Sequence, residues 1–171
     1  MKTVKTIVVI VTILLVGFLS IGLLVKTTVY KTEVLIDKPI EKVFTVFNDG
    51  TKTENWIPEF KSIKAIEEKE GKVGSTYQIS LEKNGNEVTM KEKVLAFIPN
   101  KKVTLNYSVE GMLKKNDFSF TTEGDETKII QESTCKSDGY LMRCMLPFFK
   151  SKLKNQDQAY LDNFKNYIEK N

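Results

Sequence analysis

In the stretch from Val88 to Val94 apolar residues fall at every second position, and Glu92 occupies the place in that file between Met90 and Val94. A charge on the apolar side of a strand is costly unless it finds a partner. Either a bulge turns Glu92 outward, or its carboxyl faces a cavity. A carboxyl kept from water rises in pKa towards neutrality, where it can give or take a proton. Tyr77 and Tyr107 fall in the corresponding files of neighbouring segments and would be its companions. Gln156 is a second polar residue out of place. It stands where a leucine would continue the stripe from Leu153 to Tyr160, and it needs a side chain, a water or a ligand as partner.

Much other chemistry is excluded. The chain has 171 residues and no histidine, which removes Ser-His-Asp triads and His-liganded zinc. No glycine-rich phosphate loop occurs. The two cysteines, Cys135 and Cys144, are too few for a structural metal. In an exported compartment a disulfide between them is chemically permitted, but two separate buried thiols are expected. Acid pairs such as Glu67-Glu68 and Asp125-Glu126 read as turn or surface charge, since neighbours in a strand point to opposite faces. Asn106-Tyr107-Ser108 is a formal glycosylation sequon inside an expected strand and is discounted. No catalytic set, metal site or cofactor is assigned. The net charge of +4 owes three charges to Lys2, Lys5 and Lys26; the remaining 23 basic residues face 22 acidic ones, which is not a nucleic-acid binder's balance.

Those residues must be held by the elements around them. Val29–Asp37 alternates and is β-branched, as a strand does. Asp37 and Pro39 suit the start of a helix carrying Ile40, Val43, Phe44 and Phe47 at helical spacing, closed by Asn48-Asp49-Gly50. A short helical piece over Thr51–Trp56 stops before Pro58. The period then changes to two. Six strands are expected at Ser62–Glu68, Val73–Glu82, Glu87–Phe97, Lys102–Glu110, Leu113–Glu123 and Thr127–Lys136. Their short links (EGK, KNGN, IPNK, GM, GDE) make neighbours antiparallel. The inward file includes Tyr77, Ile79 and Leu81; Val88, Met90 and Val94; Val103, Leu105, Tyr107 and Val109; Phe118 and Phe120. From Cys144 to Glu169, Leu146, Phe149, Leu153, Tyr160, Phe164, Tyr167 and Ile168 recur at three and four residues, so a long amphipathic helix is expected.

The first 28 residues form a separate piece. Ile7–Val25 carries no charge and, at about 1.5 Å per residue, is just long enough as a helix to cross a hydrocarbon core of roughly 30 Å. It is expected to be a single-pass anchor; a cleaved signal peptide with Lys2 and Lys5 as basic region is the alternative. Lysines flank it on both sides, leaning weakly towards a cytoplasmic N-terminus with the domain on the other side.

Residues 29–171 resemble the SRPBCC, or START-like, superfamily, which includes polyketide cyclases, lipid-transfer domains and the birch pollen allergen. The likeness rests on "VLIDKPIEKVFTVFND", on "NWIPEF", on "VLAFIPNKKV" at a strand junction, on "GDETKIIQES" before the last strand and on the closing "LMRCMLPFFKSKLKNQDQAYLDNFKNYIEK". It implies an α+β helix-grip fold: a seven-stranded antiparallel sheet curved around the long C-terminal helix, with two short helices after strand 1. It also implies an apolar cavity for a lipid, quinone or polyketide-like molecule. The lining expected from it is Trp56, Phe60, Tyr77, Ile79, Leu81, Met90, Glu92, Leu105, Tyr107, Phe118, Phe120, Leu146, Phe149, Leu153, Gln156 and Tyr160, the alternative being that the large side chains fill a solid core. Binding or carriage of a hydrophobic molecule is the leading expectation. A cyclase or hydrolase using Glu92 with Tyr77 or Tyr107 is the second, and a membrane-anchored protein-interaction module the third.

The run Gly139–Phe149 is too short to cross a bilayer and holds the only arginine, Arg143. Its apolar residues are interleaved with Arg143, Lys150, Lys152 and Lys154, and cations oppose the dipole at a helix start. In a helix-grip domain it would form the cavity mouth, and Arg143, Phe148, Lys150 and Lys152 would touch a lipid surface. Nothing here fixes an oligomeric state.

Overall fold

The computed structural model describes residues 2–83 and 85–171, with no account of the Lys83 side chain. Helix α1 (Lys2–Leu24) comes first and presents its apolar side chains outward along most of its length. Strand β1 (Thr28–Ile36), helix α2 (Ile40–Phe47) and a 3₁₀ helix (Gly50–Asn55) follow. Strands β2 (Phe60–Glu67), β3 (Thr76–Lys83), β4 (Asn86–Ile98), β5 (Lys102–Val109), β6 (Met112–Glu123) and β7 (Glu126–Ser137) precede helix α3 (Tyr140–Lys170). The strands form one seven-stranded sheet in the order β1-β7-β6-β5-β4-β3-β2, every pair antiparallel.

The period-two files set the register. On β1 the buried positions are Thr28, Tyr30, Thr32, Val34 and Ile36, and on β7 they alternate from Thr127 to Ser137. The β5–β6 link is a tight hairpin in which Glu110 (φ 46°) and Gly111 (φ 75°) both take the left-handed conformation that a two-residue turn of this twist demands. The expected β3–β4 link at 83–86 includes Asn84, which lies outside the described residues.

The main core lies under one half of the sheet. Phe164 of α3 is fully buried between Trp56, at 4.9 Å between ring centroids, and Phe47, at 5.3 Å, both edge-on. Phe44, Phe118 and Phe120 extend this aromatic cluster, and Ile36, Val43, Val103, Ile129, Leu161 and Ile168 close it. Helix α3 packs chiefly on β1 and β7, at one side of the sheet.

Three expectations differ from the structure. Helix α2 has Pro39 at its N-cap without a side-chain hydrogen bond, so Asp37 does not cap it; the Asp37 N–H is engaged by Glu169 Oε1 at 2.8 Å. Strand β3 starts at Thr76 rather than Val73, because residues 71, 72 and 74 have positive φ and turn the chain first. Helix α3 starts at Tyr140 rather than Cys144 and runs through Pro147, which costs it one backbone donor. The cysteines agree with expectation: Cys135 and Cys144 are two free, buried thiols.

Candidate functional site

Because α3 leans on β1 and β7, strands β3–β5 arch away from it and leave a cavity of about 710 Å³. That size lies within the roughly 300–1,000 Å³ of small-molecule pockets. The structure places Trp56, Phe60, Tyr77, Ile79, Leu81, Met90, Glu92, Leu105, Tyr107, Phe118, Leu153, Gln156 and Tyr160 on its wall. Three expected residues are not there. Phe120 packs edge-on against Phe44 and Phe47 in the core, 5.0 and 5.3 Å between centroids. Leu146 joins Tyr30 and Cys135 in a separate small core. Phe149 is more than a third exposed on the outside of α3. The three- and four-residue repeat correctly gave these residues to one helix, but α3 changes neighbours along its length: its first turns meet α1, its middle the cavity, its end the aromatic core.

Glu92 is only 8% exposed and faces inward. The bulge on β4 does exist, but it falls between Val94 and Ala96, beyond Glu92, and so leaves the carboxyl pointing in. Across the sheet Glu92 sits directly opposite Tyr107 on one side and Tyr77 on the other. Burial pushes its pKa up to about 7, against a smaller downward pull from the neighbouring Tyr107 hydroxyl. The Tyr107 hydroxyl is itself pushed well up by burial and by the adjacent carboxylate. Tyr77 also donates to Glu68, at 3.4 Å. The arrangement is an acid able to exchange a proton near neutral pH inside a mainly apolar space.

A second polar group went unseen in the sequence. Asp157 of α3, 3% exposed, receives hydrogen bonds from Tyr30 Oη at 2.9 Å, Gln131 Nε2 at 2.7 Å and Lys114 Nζ at 2.6 Å, with Ser133 Oγ 3.0 Å away. Burial, then the neighbouring carboxylate, drives the Tyr30 hydroxyl strongly upward. The signal was available. Lys114 and Asn116 continue the Phe118–Phe120 file at steps of two, and Asp157 lies four residues after Leu153 and four before Leu161 on the inner stripe. Gln156, singled out instead, is satisfied within the protein: its Nε2 donates to Tyr160 Oη at 2.6 Å, and that hydroxyl donates to Glu59 Oε2 at 2.9 Å. Burial raises the Tyr160 hydroxyl as well. Among the described residues no group of acids and cysteines is placed to hold a metal ion.

The start of α3 meets α1. Phe18 stacks on Phe148 at 6.2 Å, the Tyr140 hydroxyl donates to the Leu19 carbonyl, and Gly22 lies against Cys144. A Cβ added at Gly22 would come within 2.5 Å of Cys144 Sγ, so only glycine allows this approach. Strand β1 begins four residues after α1 ends, and its Thr28 pairs with Cys135 near the end of β7, which leads directly into α3. The exit of α1 and the start of α3 therefore share one edge of the molecule. Leu141 is 62% exposed there and Phe148 66%. Lys150 and Lys152 are also exposed, while Arg143 is partly withdrawn, its Nη2 donating to the Ser137 carbonyl at 3.4 Å.

Comparison with known proteins agrees with this geometry. No curated protein matches the chain in sequence. Among solved structures it is similar to Ara h 8.0201, at 17% identity with a TM-score of 0.68, over 85% of this chain and 99% of that one. The Streptomyces aromatase/cyclase Zhui is 11% identical with a TM-score of 0.70, over 84% and 94%. A Thermus thermophilus protein is 14% identical with a TM-score of 0.65, over 82% and 97%. These likenesses show the helix-grip fold. The model of one sequence family, described as polyketide cyclase / dehydrase and lipid transport, matches residues 27–169, and the chain belongs to that family.

Proposed function

We propose that residues 29–171 hold a hydrophobic small molecule, a lipid, quinone or polyketide-like compound, between the sheet and α3, on a domain tethered to a membrane by α1. The observation that carries this reading is the cavity itself: about 710 Å³ of space walled by Ile79, Leu81, Met90, Leu105 and Phe118, where a solid core would have closed on them. The tether is supported by the uncharged run of α1, whose window has a mean hydropathy of 3.0 and is 6% buried. With α1 in a bilayer, exposed Leu141 and Phe148 and the cations Lys150, Lys152 and Arg143 lie at the edge nearest the lipid, suited to its surface. Trp56 is the chain's one tryptophan and lines the cavity, so it reports occupancy directly. Titrating the full chain in liposomes with a brominated acyl compound is expected to quench Trp56 saturably. Quenching no greater than that of free tryptophan analogue in the same liposomes would defeat the reading.

One observation favours a second reading, an enzyme of the cyclase kind. Glu92 has a pKa of about 7 and a tyrosine on either side, which suits a general acid or base. Turnover of a supplied polyketide-like compound that is lost in Glu92→Gln while binding persists would establish it.

A further inference from the structure

We propose that Glu92, flanked by Tyr107 and Tyr77, is the polar anchor of the cavity and selects ligands whose head group is an uncharged hydrogen-bond acceptor, such as a ketone, quinone, ester or amide. The proposal rests on the reading that the cavity holds a hydrophobic molecule, and it adds the chemistry of that molecule's polar end.

The charges around Glu92 decide between head groups. From β6, Lys114 approaches the row, but it is spent on Asp157 of α3 at 2.6 Å. From the β2–β3 connection come Glu68, which accepts from Tyr77, and Lys72, whose ammonium sits 5.3 Å from the centre of the Phe97 ring. From the segment before β2, Glu59 accepts from Tyr160 of α3. Lys91 and Lys93, the neighbours of Glu92 on β4, are exposed on the other face. Among the described residues no ion pair includes Glu92. The acids on the wall, Glu59, Glu68, Glu92 and Asp157, outnumber the bases, Lys72 and Lys114.

A carboxylate or phosphate head would enter a space already in acidic excess, where Lys114 is paired with Asp157 and the other wall cation, Lys72, stands over the Phe97 ring. An ammonium head would have to shed its water and draw Glu92 into its charged form against burial. A neutral acceptor has neither cost. Tyr107 stands opposite Glu92 on the neighbouring strand, and while the acid keeps its proton its O–H can donate to the ligand. Such binding weakens as Glu92 ionises, by about tenfold per pH unit above its pKa, whereas ammonium binding would strengthen over the same range.

The test uses the full chain in phosphatidylcholine liposomes, with Trp56 emission as readout and three probes of matched chain length: methyl heptyl ketone, nonanoic acid and nonyltrimethylammonium. The ketone is expected to bind best and to lose about tenfold in affinity per pH unit above about pH 7. Glu92→Gln, which keeps a neutral donor, should hold the low-pH affinity throughout, and Glu92→Leu should lose it. Ketone binding indifferent to both pH and Glu92→Gln, nonanoic acid binding as tightly as the ketone, or ammonium binding that rises with pH would each overturn the anchor while leaving the cavity reading intact. Failure of all three probes to move Trp56 emission would overturn both.

Discussion

At Glu92 a single carboxyl links folding to pH. Its ordinary value of 4.5 rises to about 7 in the folded protein, chiefly through burial. Between those values the native state keeps a proton that the unfolded chain releases, so stability falls as pH rises through that window and levels off above about pH 7. The shift corresponds to roughly 3 kcal/mol. Denaturant unfolding followed by Trp56 emission should show Glu92→Gln flattening this decline. At Asp157 the buried charge is paired with Lys114. Asp157→Ala strands the Lys114 ammonium and removes the acceptor of Tyr30 and Gln131, and unfolding should show a loss of roughly 3–5 kcal/mol. Glu92 was legible in the sequence because the apolar residues beside it fix the parity of β4. Asp157 was harder to single out, because its sequence neighbours Asn155, Gln156 and Gln158 are all polar, and its helical neighbours must be traced four residues away.

Among the elements, α3 carries three contacts in series, and each fails separately. Phe164→Ala removes the ring held between Trp56 and Phe47 and should cost roughly 3–5 kcal/mol in the same unfolding measurement. Gly22→Leu should instead leave the domain's stability unchanged and part α1 from α3. Cys144, fully buried under Gly22, then becomes reactive to a bulky maleimide, while Cys135 stays protected; equal labelling of Cys144 in both proteins would refute the contact. Strands β1 and β7 show the alternation plainly, since one wet face and one dry face leave a period of two, whereas the edge strand β2 has no buried file. The ends were less legible: positive φ at Gly71, Lys72 and Gly74 delays β3, and the apolar Tyr140–Leu146 stretch begins α3 early because α1 covers part of it. A contact between two elements that are 118 residues apart, Gly22 and Tyr140, leaves no local pattern to read.

For the molecule as a whole, the sheet does two jobs. Through β1 and β7 it grips α3, and through β3, β4 and β5 it stands clear of it. Sequence order conveyed the fold, and strand parity conveyed most of the wall, but a hollow is a difference between surfaces and has no residue of its own. The decisive measurement compares the wild-type full chain with Leu105→Trp, which puts an indole into the hollow, by solvent extraction of each purified protein and mass spectrometry. A hydrophobic compound retained by the wild type and depleted in the variant, with annular lipid equal in both, is the expected result. Identical extracts from the two proteins, with nothing beyond annular lipid, would contradict a ligand-holding cavity.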